Sequence, residues 1–508
     1  MGKWVWLAAT AVLCVTTPAM ADSAPQAAGH ADTALQAAVK AADVKMADRD
    51  AKGAESDLKA AVADPQFASA SPSVRAHLLT LLGICENINN EPEAAFQHLG
   101  DAGTIAPDMR NRYYWVELAY VAYHLHKDEV LGDALTHAVT IAPERANALS
   151  ADLVFAALGR LRQLKDDNAH RRDLLEALVQ AHYDPDANPT AGETVRRSLF
   201  ELYVDAGEEA KATALIPTLV APASAIDLRA DNRYRKYVDD DAGLTDFPGM
   251  VDRYIAALRT RQGSGGLPVA QELALTLAAA NRLPQALQVV DNALLLGGLA
   301  PGATTSDTGD ETKWLLDTRT RILGLMGRWD EVEAAQIKAR DAALKEGRDL
   351  VSQKINLADL YNRLGRPRDA LKELTDLDAG GASVYGKMVA EAVRACAYAT
   401  LVDKDRLKAS LDTLRANADE APGPLYDALV CTGDEDGAAA RIIARLDNPD
   451  LRNAQLADVQ DYLPAPHPTT YDQMIAGHEK NIVKRPDVQA AIAKYGVIES
   501  YPILQTGD

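Results

Sequence analysis

The 508-residue chain predicts an all-α fold, a right-handed α-solenoid of about ten antiparallel helix pairs arranged in two lobes. Three observations carry this expectation. From Thr33 to about Tyr462, apolar residues recur at three- and four-residue spacing among Ala, Leu, Glu, Lys and Arg. Strand-like alternation is nearly absent over the same stretch. A set of small residues and prolines also returns at the length of one helix pair.

That longer period is the most specific signal. Ala41, Gly53, Ala60 and Pro65 are separated by twelve, seven and five residues, and so are Gly83, Ala95, Ala102 and Pro107. Ala119, Leu131, Ala138 and Pro143 repeat the steps. Ala274, Ala286 and Ala293, and then Ala358, Ala370 and Leu377, keep the first two. Two short antiparallel helices approach closely only where small side chains sit at their crossing. The first small residue belongs to the leading helix. The next two lie seven apart on one face of the returning helix. The proline stops that helix and turns the chain into the next unit. Gly327-Arg328-Trp329-Asp330 and Gly365-Arg366-Pro367-Arg368-Asp369-Ala370 read as the turn between the two helices, running into a helix start.

With these residues the chain resembles the tetratricopeptide-repeat superfamily, as an exported bacterial-type member. The ~34-residue period, the small residues and the closing proline match that repeat. Leu78 with Gly83, Trp115 with Leu118, and Leu360-Tyr361 stand where it favours large apolar or small residues. Leu131 and Val332 depart from it, standing where a small residue is expected, and residues 144–250 show only a degenerate form. The resemblance implies stacked helix pairs with a concave face that receives a peptide or helix. It implies no cofactor.

The elements then follow in order. Residues 1–21 read as a signal peptide: Lys3 gives the positive start, Val5–Val15 the apolar stretch, and Ala19-Met20-Ala21 the small residues of a cleavage site after Ala21. The apolar run is shorter than the ~20 residues that span a bilayer. Leu13 and Ala11 before Cys14 do not make a lipobox. Residues 22–33 form a polar leader, 34–245 an N-terminal helical-repeat lobe, 246–462 a C-terminal one, and 463–508 a cap and tail. Gly263-Ser264-Gly265-Gly266 is the expected hinge between lobes, and Pro301–Asp310 a surface excursion. Two segments break the repeat, Ile226–Asp241 and the tail from Lys484 to Leu504. Each is expected to dock on the last helices of its lobe, because an open solenoid end exposes apolar surface.

Charge and motifs bound the function. A net charge of −20 argues against a nucleic-acid partner, which needs a basic footprint, and the mature chain is not expected to be embedded in a membrane. His478-Glu479 lacks the second histidine of a zincin, and His124 and His126 are two apart and diverge on a helix. Asp184, Asp186 and Asn188 begin like a calcium loop, but Pro189 and Val195 stand where its glycine and closing glutamate belong. Asp434-Glu435-Asp436-Gly437 fails likewise at Ile443, and Ser56-Asp57-Leu58-Lys59 lacks the companions of a serine/lysine nucleophile. No catalytic, cofactor-binding or metal-binding residue is therefore assigned. Of the cysteines left after cleavage, Cys396 and Cys431 lie one repeat apart. Two states stay open: a disulfide between them, or three buried inert thiols including Cys85.

The candidate partner-binding residues are a basic and aromatic group, Arg196, Arg197, Tyr203, Arg229, Arg233, Tyr234 and Arg235. Such a group could clamp an acidic peptide tail. The expected function is an exported, periplasmic or secreted, non-enzymatic scaffold. It would hold an envelope or secreted protein, or a peptide of one, in a concave helical-repeat groove. The alternative is a small-ligand-binding or hydrolytic protein with its site between the lobes near residues 262–268.

Overall fold

The computed structural model describes residues 30–165, 168–238, 246–262, 266–296, 310–346, 350–375, 377 and 382–505. The expected signal peptide, most of the polar leader, Asp239–Asp241, Gly263–Gly265 and nearly all of the excursion from Pro301 lie outside the described residues. The chain divides into two compact units. One runs to Pro185 and includes Thr190–Leu202; the other takes Asp186–Pro189 and everything from Tyr203 onward.

The first unit is built from helices joined by short turns: α1 (His30–Ala47) with α2 (Ala51–Ala63), α3 (Pro72–Ile88) with α4 (Pro92–Ile105), α5 (Arg112–His124) with α6 (Asp128–Ile141), then α7 (Ala151–Leu161) and α8 (Ala169–Gln180). The division falls within α9 (Ala191–Asp205). Local chemistry sets these boundaries. Asp50 accepts the Gly53 N–H at 2.9 Å and Asn111 the Tyr114 N–H at 3.1 Å, each satisfying a free donor of a helix start. Pro72 and Pro92 sit in first turns, where a missing N–H costs nothing. Pro107 and Pro143 follow α4 and α6 and open short 3₁₀ segments.

The small residues do the packing. Gly83, Ala95 and Ala102 are buried between α3 and α4, and Ala119 and Ala138 between α5 and α6. A Cβ on Gly83 would come within 2.9 Å of Leu99 Cγ and 3.2 Å of the Ala95 carbonyl oxygen. Pro107 and Pro143 are exposed, as chain breakers rather than packing residues. In the first pair the pattern shifts by one: Ala41 and Ala60 face solvent, and the buried set is Ala42, Ala54 and Ala61. The stripe Leu35, Val39 and Met46 decides that rotation, because it must reach the core beside Leu58. In the degenerate stretch α8 packs on α6 as well as on α7.

The second unit starts with α10 (Glu209–Leu215), α11 (Pro222–Ala230), a helical turn Arg235–Val238 and α12 (Phe247–Arg261). Helix pairs follow: α13 (Gly266–Ala279) with α14 (Leu283–Leu296), α15 (Asp310–Leu325) with α16 (Trp329–Glu346), α17 (Leu350–Arg363) with α18 (Pro367–Glu373), α19 (Val384–Thr400) with α20 (Lys404–Ala416), and α21 (Pro422–Thr432) with α22 (Glu435–Asp447). The leading helices pack on one another, α13 on α15, α17 on α19 and α19 on α21, in a layer that α16 bridges between α15 and α17. Ala274, Ala286, Ala358 and Ala370 are completely buried in it and against the returning helices. Residues 262–268 are not a boundary between units: they join α12 to α13, which pack together inside the second one.

Nearly every turn within a pair places one residue in the left-handed region. These residues include Asn90 (φ 66°), Asn281 (56°), Gly327 (71°), Gly365 (71°) and Gly433 (73°). Val402 holds the same position at φ 59° between α19 and α20, although its side chain is β-branched and 72% exposed. A left-handed non-glycine residue costs roughly 1–2 kcal/mol, and glycine's greater unfolded freedom costs somewhat less. Val402→Gly is therefore expected to raise the unfolding free energy by about 1 kcal/mol, measured by urea denaturation; an unchanged or lower value would contradict this account.

The tail returns to the start of its own unit. After α23 (Arg452–Asp458) come β1 (Asp461–Leu463), α24 (Thr470–Val483), α25 (Pro486–Tyr495) and β2 (Ser500–Leu504). β1 and β2 pair in parallel with an irregularity between Tyr462 and Leu463. The Val497 N–H donates to Ala230 and the Asn232 N–H to Tyr495, both at 2.9 Å, and Asp231 bridges Gly496. Ile482, Val488 and Ile492 of the tail join Ala230, Leu425, Leu429 and Leu456 in one core. Burying each such side chain stabilises by roughly 1.5–3 kcal/mol. The two segments expected to cap separate ends thus bind each other. That contact knits residues 222–238 into the second unit, so the division falls near residue 202 rather than near residue 245.

Cys396 and Cys431 form a disulfide joining α19 to α21, with Cα atoms 5.6 Å apart. Of the two open states the first is the one found. Cys85 is a free buried thiol whose pKa burial pushes up to about 12.

Candidate functional site

The layer of leading helices in the second unit has an inner face that encloses a cavity of about 660 Å³. Its wall takes residues from α13, α15, α17, α19 and α21 and from the start of α16, and the tail segment 465–479 closes the opposite side. Two turn glycines let the tail approach. A Cβ on Gly327 would meet His467 Cβ at 2.9 Å, and one on Gly433 would meet His478 Cε1 at 3.2 Å. Both glycines also hold positive φ, so each position needs glycine twice over.

The wall mixes apolar, polar and charged side chains. Leu275, Val332, Ile355, Val393 and Ile475 alternate with five carboxylates, Asp317, Asp359, Asp427, Asp472 and Glu479, against two guanidiniums, Arg321 and Arg363. Arg321 pairs with Asp317 at 2.9 Å and Arg363 with Asp472 at 3.0 Å. The Arg363 guanidinium also lies 5.1 Å from the Trp329 ring centroid. Among the described residues the other three acids form no ion pair of that kind. Removal from bulk water raises the Asp427 pKa to about 6; the Asp359 charge adds to the rise and Arg445 opposes it. Asp359 is raised by desolvation and by Asp472, against Arg363, and Glu479 by desolvation and then by Asp427 and Asp458. Asp427 and Glu479 are nonetheless exposed residues of the cavity wall, so solvent tempers these rises. The Tyr426 and Tyr471 hydroxyls are also raised, chiefly by desolvation. Such a wall suits a ligand with cationic and apolar parts and disfavours phosphate.

In the first unit α3 and α5 carry a smaller polar group. Asn87 donates to Glu117 at 2.7 Å, and its carbonyl oxygen lies 3.2 Å from His124 Nδ1. Desolvation lifts Glu117 to about 7, against the Asn87 hydrogen bond. Among the described residues no group of three or more His, Cys, Asp or Glu is placed to hold a metal ion. No helix among them is long and apolar enough to cross a membrane.

The basic and aromatic residues singled out from the sequence lie elsewhere. Arg196 pairs with Glu193 at 3.2 Å and Arg197 with Glu201 at 3.7 Å, both along α9. Tyr203 is buried, with Lys211 over its ring. Arg229 reaches Glu499 of the tail at 2.7 Å and Arg235 reaches it at 3.7 Å. Arg233 pairs with Asp231 at 2.9 Å and covers the ring of Tyr234, which is 1% exposed. Arg229, Arg233 and Arg235 are thus brought together around acids of the chain itself, Glu499 and Asp231. They form the seat of the tail. No sequence motif marks Asp359, Asp427 and Asp472, and Glu479 stands out only beside His478 in an incomplete zincin pattern. Their signal was their place beside the crossing residues: Asp359 follows Ala358, and Asp427 precedes the buried Ala428.

Paired helices closed by left-handed turns, with small residues buried at each crossing, make this chain an all-α helical-repeat protein. No family model matches it, and no curated protein does. Among solved structures it is similar to the human IFIT1 dimer with m7Gppp-AAAA, at 12% identity over 82% of this chain and 90% of that one, TM-score 0.31. It is also similar to yeast Tom70, at 12% identity over 91% and 99%, TM-score 0.26. The third is the APC/C hetero-tetramer Cut9-Hcn1, at 11% identity over 91% and 89%, TM-score 0.29. Likeness this loose carries no functional argument.

Proposed function

We propose that this protein is an exported, non-enzymatic interaction scaffold that holds a peptide or protein of the cell envelope in the concave face of its second unit. The observation that carries the reading is the cavity itself: leading helices from five successive pairs, together with α16, present one mixed apolar and acidic wall. Extended concave surfaces of this kind suit a helix or peptide better than a point reaction centre. The Cys396–Cys431 bond supports the periplasmic or secreted location, because cytosolic thiols are kept reduced. The expected cleavage after Ala21 supports it too.

The test selects helical peptides from a display library on the full chain and maps them by photo-crosslinking. Binders are expected to crosslink to residues 355–363 or 426–430, and Asp427→Lys is expected to weaken them at least about tenfold, as loss of a charge pair in a shielded site would. Binders confined to α14, α18 and α20, which contribute nothing to the cavity wall, would defeat the reading. A second reading, a small cationic ligand, is favoured by the cavity volume, which falls within the ~300–1,000 Å³ of small-molecule sites. A thermal-shift gain with a small amine and no peptide binder would select it.

A further inference from the structure

The tail is anchored at its ends and poorly held between them. α25 inserts Val488 and Ile492 into the core, and Tyr495 donates its hydroxyl to Asp447 at 2.7 Å. α24, by contrast, buries only Ile482 among its fourteen residues, although it covers the cavity and packs on α17, α21 and α22. Its N-terminus is closed by a Thr469/Asp472 capping box, and Asp472 continues to Arg363. His478 bonds Glu435 at 3.0 Å, and Asn481 donates to the same carboxylate at 3.1 Å. The remaining polar contact is unfavourable. Glu479 turns into a wall that presents Asp427 and Tyr426 from α21, Asp359 and Arg363 from α17, Arg445 from α22 and Asp458 from α23. Of the two bases, Arg445 is engaged with Asp458 at 3.4 Å and Arg363 with Asp472.

A helix that buries one side chain in fourteen residues, with like charges beneath it, opens at lower cost than α25, which buries two in ten. We propose that α24 is a displaceable lid over the cavity, seated when the carboxylates between it and the inner helices carry a proton and loosened when they are all ionised, while α25 and β2 stay docked. The lid follows from the geometry alone. It rests on the proposed binding role only in that the face it covers is the one a partner would use. The direction of the effect agrees with the raised pKa values of Asp359, Asp427 and Glu479, since a group easier to protonate in the closed form favours that form as pH falls through its pKa.

The deciding measurement is amide-exchange protection of residues 470–483 in the full chain, at pH 5.5 and 7.5, with α25 as internal reference. In the wild type, protection of α24 is expected to be about tenfold lower at pH 7.5 than at pH 5.5, the direction set by carboxylates that take up a proton more readily in the closed form. Glu479→Gln at pH 7.5 is expected to restore the protection seen at pH 5.5, and Asp427→Asn to restore part of it, with α25 unchanged. Equal protection at both pH values, no effect of Glu479→Gln, or joint loss of protection by α24 and α25 would each overturn the lid. No ligand enters the measurement, so its failure leaves the scaffold reading standing, and failure of the peptide selection leaves the lid standing.

Discussion

Gly496→Ala is expected to lower the unfolding free energy of the second unit by about 2–4 kcal/mol, the range of overpacking plus lost hydrogen bonds. A Cβ at this position would stand 2.0 Å from the Ala230 carbonyl oxygen and 2.8 Å from Leu456 Cδ2. The first of these neighbours is backbone and cannot rotate away. The backbone of Gly496 is itself extended, so the effect is steric rather than conformational. To relieve it the tail must withdraw, breaking the Val497–Ala230 and Asn232–Tyr495 bonds and uncovering Val488 and Ile492. Gly477→Ala, in α24 with nothing within 4 Å of the new methyl, is the control. It is expected to be neutral or to stabilise by roughly 0.5–1 kcal/mol through helix propensity. Urea denaturation of the two variants beside the wild type gives the comparison. Equal effects of the two substitutions would show that the tail does not dock as described.

Reduction of the Cys396–Cys431 bond, or replacement of both cysteines by alanine, is expected to cost roughly 3–4 kcal/mol. The crosslink closes a loop of 35-residue separation, and its loss returns that loop's freedom to the unfolded chain. The cost falls on the second unit alone, because both half-cystines belong to it. Denaturation with and without a reductant reads the difference, and coincident curves would refute it. Cys85 provides an internal check. Its thiol is 1% exposed, so a thiol reagent should reach it only as the first unit unfolds.

The two effects differ in how far they could be read from the sequence. The cysteines stand one repeat apart, so a repeating architecture already places them on neighbouring leading helices; whether they bond depends on the rotation of those helices. Gly496 carried no signal, because its neighbour Ala230 lies more than half of the second unit away along the chain. The same contrast holds for the site. The crossing residues Ala358 and Ala370 could be found because close helix packing demands small side chains at fixed intervals. Asp359 beside them could be seen as a polar residue on an inner helix, but nothing local announced that Asp427 and Glu479 would face it. The cluster Arg229, Arg233 and Arg235 looked like a clamp for a foreign acid because Glu499, the acid it holds, comes so much later in the chain.

By itself the sequence determined the helices, their pairing, the turns between them and the crossing residues. Each of these is set within one repeat by a cap, a left-handed turn residue, a small side chain or a proline, whose energies act over a few residues. Tertiary structure alone decided the one-residue rotation of the first pair, the return of the tail to residues 229–232, the division near residue 202 and the acidic cavity under α24. Those depend on contacts between segments far apart in the chain, where competing arrangements are locally equivalent and only the burial of the whole apolar surface separates them.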